Sequence, residues 1–395
     1  MAKRTVEDVE LTGRRVFLRV DFNVPLGADG QVTEDARIRA VLPTLGYIRQ
    51  RGARIILASH LGRPKGKPDP KYSLAPVARR LGALLGEAVS LAADCVGSPL
   101  EAAARALAPG GLLLLENLRF HAGEEANDPG FAGALARLGD VYVNDAFAAA
   151  HRAHASTEGI THHLRPAVAG LLMKEELRVL GRIFDSPAHP LVAILGGAKV
   201  SDKLALVESL LGKVDRLLVG GGMAFTFLRA QGHAVGRSLL EPDLVATAGR
   251  LLEEARRRGV DVRLPVDTVV AESIEAGAGS PVPVDRIPAD RMGLDIGPAT
   301  VAAFGAALQE GRTVVWNGPM GVFERAPFAA GTLGLARAVA EGPGLTVVGG
   351  GDTVAAVLQA RVADRIGYLS TGGGAFLEYL EGRTLPGVAA LDEAA

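Results

Sequence analysis

Short apolar runs alternate along the chain with stretches whose apolar residues recur every three to four positions. The first pattern predicts strands buried on both faces, the second amphipathic helices. In the first half it gives strands at 16–20, 54–58, 88–91, 112–115 and 141–144, and helices at 37–50, 74–85, 99–107 and 131–138. A helix at 173–184 places Leu177, Leu180 and Phe184 on one face. In the second half, strands are expected at 191–195, 216–219, 261–264, about 266–271, 313–316 and 345–348. Helices are expected at 224–231, 242–257, after Thr353 and at 376–380. After the strand at 191–195, Gly196 and Gly197 make a turn, Ser201 stands as a helix N-cap, and Gly212 is the stop.

Strand–helix alternation argues for an open, mainly parallel sheet with helices on both faces. Ligands of such sheets bind at the carboxyl ends of the strands. In the first half that edge collects Asp21, Asn23, His60, Arg63, Arg119 and Arg152, with Arg37 at the start of its helix. Guanidinium groups pair bidentately with carboxylate and phosphate, so this edge suits a small, strongly anionic molecule. In the second half, glycine clusters at 196, 220, 349 and 372 follow strands or open helices. Such turns present backbone N–H groups to phosphate. Lys199 lies in the first turn and Lys203 in the first turn of the helix after it. Asp352, beside the third turn, is a natural carboxylate for Mg²⁺ carried by nucleotide phosphates.

Length and charge narrow the choice. At 395 residues, two or three domains are expected. A net charge of −1 gives no reason to expect nucleic acid or a membrane surface as a partner. No apolar run approaches the roughly 20 residues of a membrane span. The first residues lack a signal peptide's apolar core, and the single cysteine, Cys95, fits a reducing compartment. A cytoplasmic location is therefore expected. Only eight of 43 basic residues are lysines, so two within five residues at a phosphate-binding turn stand out.

Taken singly, these features have plainer readings. His60 alone reads as a hydrogen-bonded structural histidine. His151, His154, His162 and His163 read as structural or flanking the anion site. Glu124, Glu125 and Asp128 read as a solvated loop, and Cys95 as a small buried residue. Neither a P-loop nor a dinucleotide fingerprint after a strand is present, which counts against a nicotinamide dehydrogenase.

Nine blocks in order change that weighting: RVDFNVP, ASHLGRP, LLENLRF, DAFAAAHRAH, LGGAKVSDK, GGGMAFTF, WNGPMGVFE, GGGDT and STGGGA. Together they resemble the signature blocks of the phosphoglycerate kinase family, over about residues 14–388. The resemblance implies an α/β fold of two doubly wound domains, each a mainly parallel sheet flanked by helices, joined by a hinge helix. The expected segments are 1–172, binding 3-phosphoglycerate, and 173–187, the interdomain helix. They continue with 188–380, binding nucleotide, and 381–395, a tail packing back toward the N-terminal domain. The implied reaction moves a phosphoryl group reversibly between 1,3-bisphosphoglycerate and ADP, giving 3-phosphoglycerate and ATP. A catalytically silent, nucleotide-gated binding protein on the same fold is the alternative.

Carried over by matching position, Asp21, Phe22, Asn23, Arg37, His60, Leu61, Gly62, Arg63, Arg119 and Arg152 would hold the glycerate ligand. Lys203, Gly221, Gly222, Gly293, Glu324, Gly350, Gly351, Asp352 and Thr353 would hold Mg-ADP or Mg-ATP, with Asp352 as the Mg²⁺ ligand. Arg37, Lys199 and Gly373 would act on the transferring group once the domains close. The family is usually monomeric. Two departures from its pattern are Ala148-Ala149, where glycine and then a small or hydroxyl residue is expected, and Phe376, where a small polar residue is common.

Overall fold

The computed structural model of the chain describes residues 2–394. They divide into two compact units, one running up to Arg178 and resuming at Thr384, the other Val179–Arg383. The expected α/β class holds in both units. The division falls within the helix Leu171–Phe184.

The first unit holds strands β1 (Arg15–Arg19), β2 (Arg54–Ala58), β3 (Ser90–Leu91), β4 (Leu112–Leu114), β5 (Val141–Asn144) and β6 (Ala167–Ala169). They form one parallel sheet in the order β3-β4-β2-β1-β5-β6. Its central strands are unbroken apolar runs because helices cover both faces. The helix Ala36–Gln50 packs Ile38, Val41, Leu45 and Ile48 against it, and the helix Ala75–Leu85 adds Val77 and Leu81. Each such side chain contributes about 1.5–3 kcal/mol on burial. In register, Arg19 stands opposite both Ala58 and Asn144, so β1, β2 and β5 end level. Asp21, His60 and Asp145, just beyond those ends, are thereby delivered to one edge. The last segment returns to this unit: the Asp392 carboxylate accepts from Ala167 N at 2.9 Å and pairs with Arg165.

The second unit holds β7 (Leu191–Leu195), β8 (Arg216–Val219), β9 (Asp261–Arg263), β10 (Asp267–Ala271), β11 (Ser280–Pro283), β12 (Met292–Ile296), β13 (Thr313–Asn317), β14 (Leu345–Gly349) and β15 (Tyr368–Leu369). Six of these make a parallel sheet, β15-β14-β13-β7-β8-β9. The strand expected near 266–271 belongs elsewhere, to a three-stranded antiparallel sheet β11-β10-β12. Trp316, fully buried in β13, donates Nε1–H to Gly318 O at 2.8 Å and so fixes the turn after that strand.

Two substantial helices, Pro298–Glu310 and Ala330–Glu341, are not among those expected. Both are rich in alanine and glycine, which blurs the apolar period on which a helix is recognised. Ser201 is not an N-cap. Residues Ser201–Lys203 form a 3₁₀ turn, and the helix proper begins at Leu204. The backbone amides at this turn are bound instead by Glu241, whose Oε2 accepts from Val200 N at 2.6 Å and Ser201 N at 3.1 Å.

Candidate active site

In the first unit the polar residues after β1, β2 and β4 interlock. Asp21 Oδ1 accepts from Asn23 N at 2.9 Å, closing a tight turn, while its Oδ2 pairs with Arg37 Nη1 at 2.6 Å. Asn23 Oδ1 accepts from Gly62 N at 2.8 Å, joining the two strand-end loops. Gly62 has φ +61°, and a Cβ there would lie 2.3 Å from the Tyr72 ring. Phe22 is fully buried, its N–H held by Ser59 Oγ at 2.8 Å. Leu61 is buried and bonded through both backbone groups to the Asn117 amide. Arg119 is buried and donates Nη1–H to Gly62 O at 2.8 Å, while its Nε lies 3.2 Å from Glu125. Arg152 is half-buried and bonded to His151; Arg63 is exposed.

His60 gathers this cluster. It is buried, and burial together with the charges of Arg19, Arg119, Arg152 and Arg37 holds its imidazole well below the usual histidine range. The ring is therefore neutral at pH 7, and the positive charge around it is carried by guanidinium groups that cannot titrate. His154, also buried, is pushed down to about 3 by desolvation and then by Arg19, Arg119 and Arg152. Such an edge is built to receive an anion.

In the second unit the glycine turns pack backbone to backbone. Gly196 N donates to Asn317 O and Gly197 N to Pro319 O, each at 2.9 Å. A Cβ on Gly196 would lie 2.2 Å from Pro319 O, and one on Gly221 (φ +68°) 2.6 Å from the Gly197 backbone. Gly222 lies against Ala198 and Leu239, and Gly293, within β12, lies against the Phe225 ring. Gly350 (φ +96°) opens the helix Gly351–Gln359, in whose first turn Asp352 is exposed and Thr353 buried. Thr353 Oγ1 accepts from Gly318 N at 2.7 Å. Gly373 (φ +51°) precedes the helix Gly374–Leu380, and its turn lies beside that of Gly350 because β15 pairs with β14. Lys199 and Glu324 are exposed. Lys203 is drawn inward, and burial, only partly offset by Asp202 and Asp352, lowers its ammonium to about 8.

The family model for phosphoglycerate kinase matches residues 6–383. The chain belongs to the phosphoglycerate kinase family. A phosphoglycerate kinase of Moorella thermoacetica is 59% identical over 394 residues, covering 100% of both chains. One from Koribacter versatilis is 55% identical over 401 residues, with 99% of each covered. Among solved structures, phosphoglycerate kinase from Coxiella burnetii superposes with a TM-score of 0.89 at 42% identity, and that from Pyrococcus horikoshii with 0.86 at 34%. Each of these two alignments covers 98% of both chains.

For this member of the phosphoglycerate kinase family the structure adds residues that sequence reasoning passed over. Arg19 is 1% exposed; it bonds to Ser156 Oγ at 2.8 Å, to Val20 O and to His60 Nδ1 at 3.2 Å. Its signal was a charged residue closing an otherwise apolar strand. Glu124 does not lie in a solvated loop. It is fully buried and binds both Ser156 N, at 3.0 Å, and Ser156 Oγ, at 2.6 Å, the same hydroxyl that accepts from Arg19 Nε at 2.8 Å. Asp128 caps the helix Pro129–Ala136 through Phe131 N at 2.7 Å. Asn317 closes the apolar strand β13 much as Arg19 closes β1. Of the two departures from the family pattern, Ala148 lies in a 3₁₀ turn and is half-buried. Phe376 is fully buried against Gly349, where a Cβ would meet its ring at 2.5 Å.

Proposed function

We propose that this chain transfers a phosphoryl group reversibly between 1,3-bisphosphoglycerate and ADP, yielding 3-phosphoglycerate and ATP. The observation that carries the reading is the neutral, buried His60 ringed by Arg19, Arg37, Arg119 and Arg152. That is an anion site of fixed charge, in a chain that matches its family over nearly its whole length. Asp21, Phe22, Asn23, Leu61, Gly62 and Arg63 complete the glycerate site.

In the second unit Lys203 and the amides of Gly350, Gly351 and Thr353 hold the nucleotide phosphates. Gly221, Gly222 and Gly293 line the adenine site, and Glu324 contacts the ribose. Asp352 is an exposed carboxylate at a glycine turn, near enough to Lys203 to act upward on its pKa. This donor set suits Mg²⁺ shared with phosphate oxygens. Bound there, Mg²⁺ would neutralise phosphate charge.

Phosphoryl transfer depends on alignment and charge stabilisation more than on covalent help. Arg37, Lys199 and the amide of Gly373 stabilise the group in flight, and the reactants meet when the two units approach about the ends of the helix Leu171–Phe184, excluding water. The chain acts as a cytoplasmic monomer. A coupled assay of ATP formation from 1,3-bisphosphoglycerate and Mg-ADP tests the activity. Absence of ATP while both ligands still bind would instead establish the silent binding protein.

A further inference from the structure

Strands β3 and β4 are hydrogen-bonded neighbours, and the loops beyond them converge. Asp94 and Cys95 come after β3; His121 comes after β4 and the 3₁₀ turn Leu118–Phe120. One ligand atom from each of Asp94, Cys95 and His121 lies within 4.8 Å of the other two. His121 Nε2 is 2.6 Å from Asp94 Oδ1. That same oxygen accepts from Cys95 N at 2.6 Å, and Cys95 Sγ donates to Glu116 O at 2.9 Å. The His121 ring stacks on Phe131 with centroids 4.8 Å apart, so the imidazole is held in place rather than free in solvent.

Burial is graded across the group. The thiol of Cys95 is at the floor with no exposure, the His121 side chain is 31% exposed, and the Asp94 side chain, at 56%, is at the mouth. Neither the glycerate site nor the nucleotide site uses these three side chains. A thiolate, an imidazole and a carboxylate make a borderline-soft donor set, which favours Zn²⁺ over the hard, oxygen-seeking Mg²⁺. With metal–ligand bonds of about 2.0–2.3 Å, tetrahedral ligands sit roughly 3–4 Å apart, so only a small contraction is needed.

We propose that Asp94, Cys95 and His121 form a binding site for a zinc-like divalent cation, with water as the fourth ligand. On binding, the Cys95 S–H bond breaks and its proton leaves to solvent as the sulfur–metal bond forms. His121 coordinates through Nε2 as the neutral ring protonated at Nδ1, any proton held between Nε2 and Asp94 Oδ1 leaves to solvent, and no electron is transferred. The site is separate from the one proposed at Asp352, whose chemistry is all oxygen.

The chain has one cysteine, so a thiolate-to-metal charge-transfer band reports Cys95 alone. The test titrates the full-length chain with Cd²⁺ and follows that ultraviolet band. It should saturate at one equivalent, be displaced by Zn²⁺, and be untouched by Mg²⁺. His121→Ala and Asp94→Asn should each weaken Cd²⁺ binding about ten-fold or more. Both alter side chains with substantial exposure, and circular dichroism confirms that they fold. The proposal is overturned if the unaltered chain gives no band, or if either folded variant binds Cd²⁺ as tightly as the unaltered chain.

Discussion

Lys203 donates its ammonium to the main-chain carbonyl of Asn317 at 3.1 Å and also to that residue's side-chain oxygen. Asn317 Nδ2 in turn donates to Gly349 O at 2.8 Å. One buried amide thus connects the lysine to the turn that opens the helix Gly351–Gln359. Asn317→Ala removes these side-chain bonds and leaves buried polar groups short of partners, at about 1–3 kcal/mol. A urea or guanidinium melt should record that loss, while affinity for 3-phosphoglycerate stays unchanged.

The lowered pKa of Lys203, about 8, makes nucleotide binding pH-dependent. Phosphate is bound by the ammonium form. Above pH 8 the free protein has largely lost that proton, so ADP affinity should fall, approaching ten-fold per pH unit. Lys203→Arg stays charged and should flatten the profile between about pH 7 and 9. The same shift has a sign for stability. The folded pKa lies below the ordinary lysine value of 10.5, so between about 8 and 10.5 the unfolded chain holds the extra proton. The contribution of Lys203 to stability therefore rises with pH across that window. Calorimetric titration of ADP at several pH values checks the first point, and melts of the unliganded chain check the second.

Arg37 is paired with Asp21 at 2.6 Å yet keeps about a third of its side chain exposed. It is held in direction but not enclosed, which suits its proposed role at the transferring phosphoryl group. Arg37→Ala should lower kcat on the order of 10²-fold or more, the usual cost of losing one charge-stabilising donor. Near-normal turnover by steady-state kinetics would remove Arg37 from the mechanism.

Glu124 is linked to Arg19 through the Ser156 hydroxyl, and burial raises its pKa against the opposing pull of Arg19 and Ser156. Glu124→Ala leaves Ser156, the link to the buried Arg19, without its acceptor. Leaving buried polar groups short of partners in this way costs about 1–3 kcal/mol. Glu124→Gln keeps an acceptor for Ser156 and should lose less. Paired denaturation curves of the two variants separate the charge from the hydrogen bond.

Much of this is legible in the chain itself. Buried parallel strands read as unbroken apolar runs, so β1, β2, β5, β7, β8, β13 and β14 all fall within a residue or so of their expected ends. The polar residues just beyond them then have to gather at one edge. The features that pattern misses are missed for physical reasons. Arg19 and Asn317 are the last residues of their strands, where a single polar residue reads as the end of the apolar run and only packing shows that it is buried. Glu124 is acidic in an acidic loop, and only tertiary packing turns it inward. The antiparallel sheet of β10, β11 and β12 is short and glycine-interrupted, and local pattern carries no record of which strands pair.

Glu241 is the residue that local pattern could least have supplied. It lies about forty positions beyond the turn that it holds, with Oε2 accepting from Val200 N at 2.6 Å and Ser201 N at 3.1 Å. Burial pushes its carboxyl upward, but the bonds from Ser201 and Val200 and the charge of Lys199 outweigh this and keep it below the usual glutamate range. The acceptor is therefore ionised throughout the neutral range, and the turn after Lys199 is tied down by a charged bond at its C-terminal side. Glu241→Ala should let the turn drift and lower kcat, leaving the KM for 3-phosphoglycerate unchanged, since the glycerate site is proposed in the other unit. Glu241→Gln retains an oxygen acceptor and should recover most of the rate. A merely structural role would instead lower stability in both variants without that division between kcat and KM.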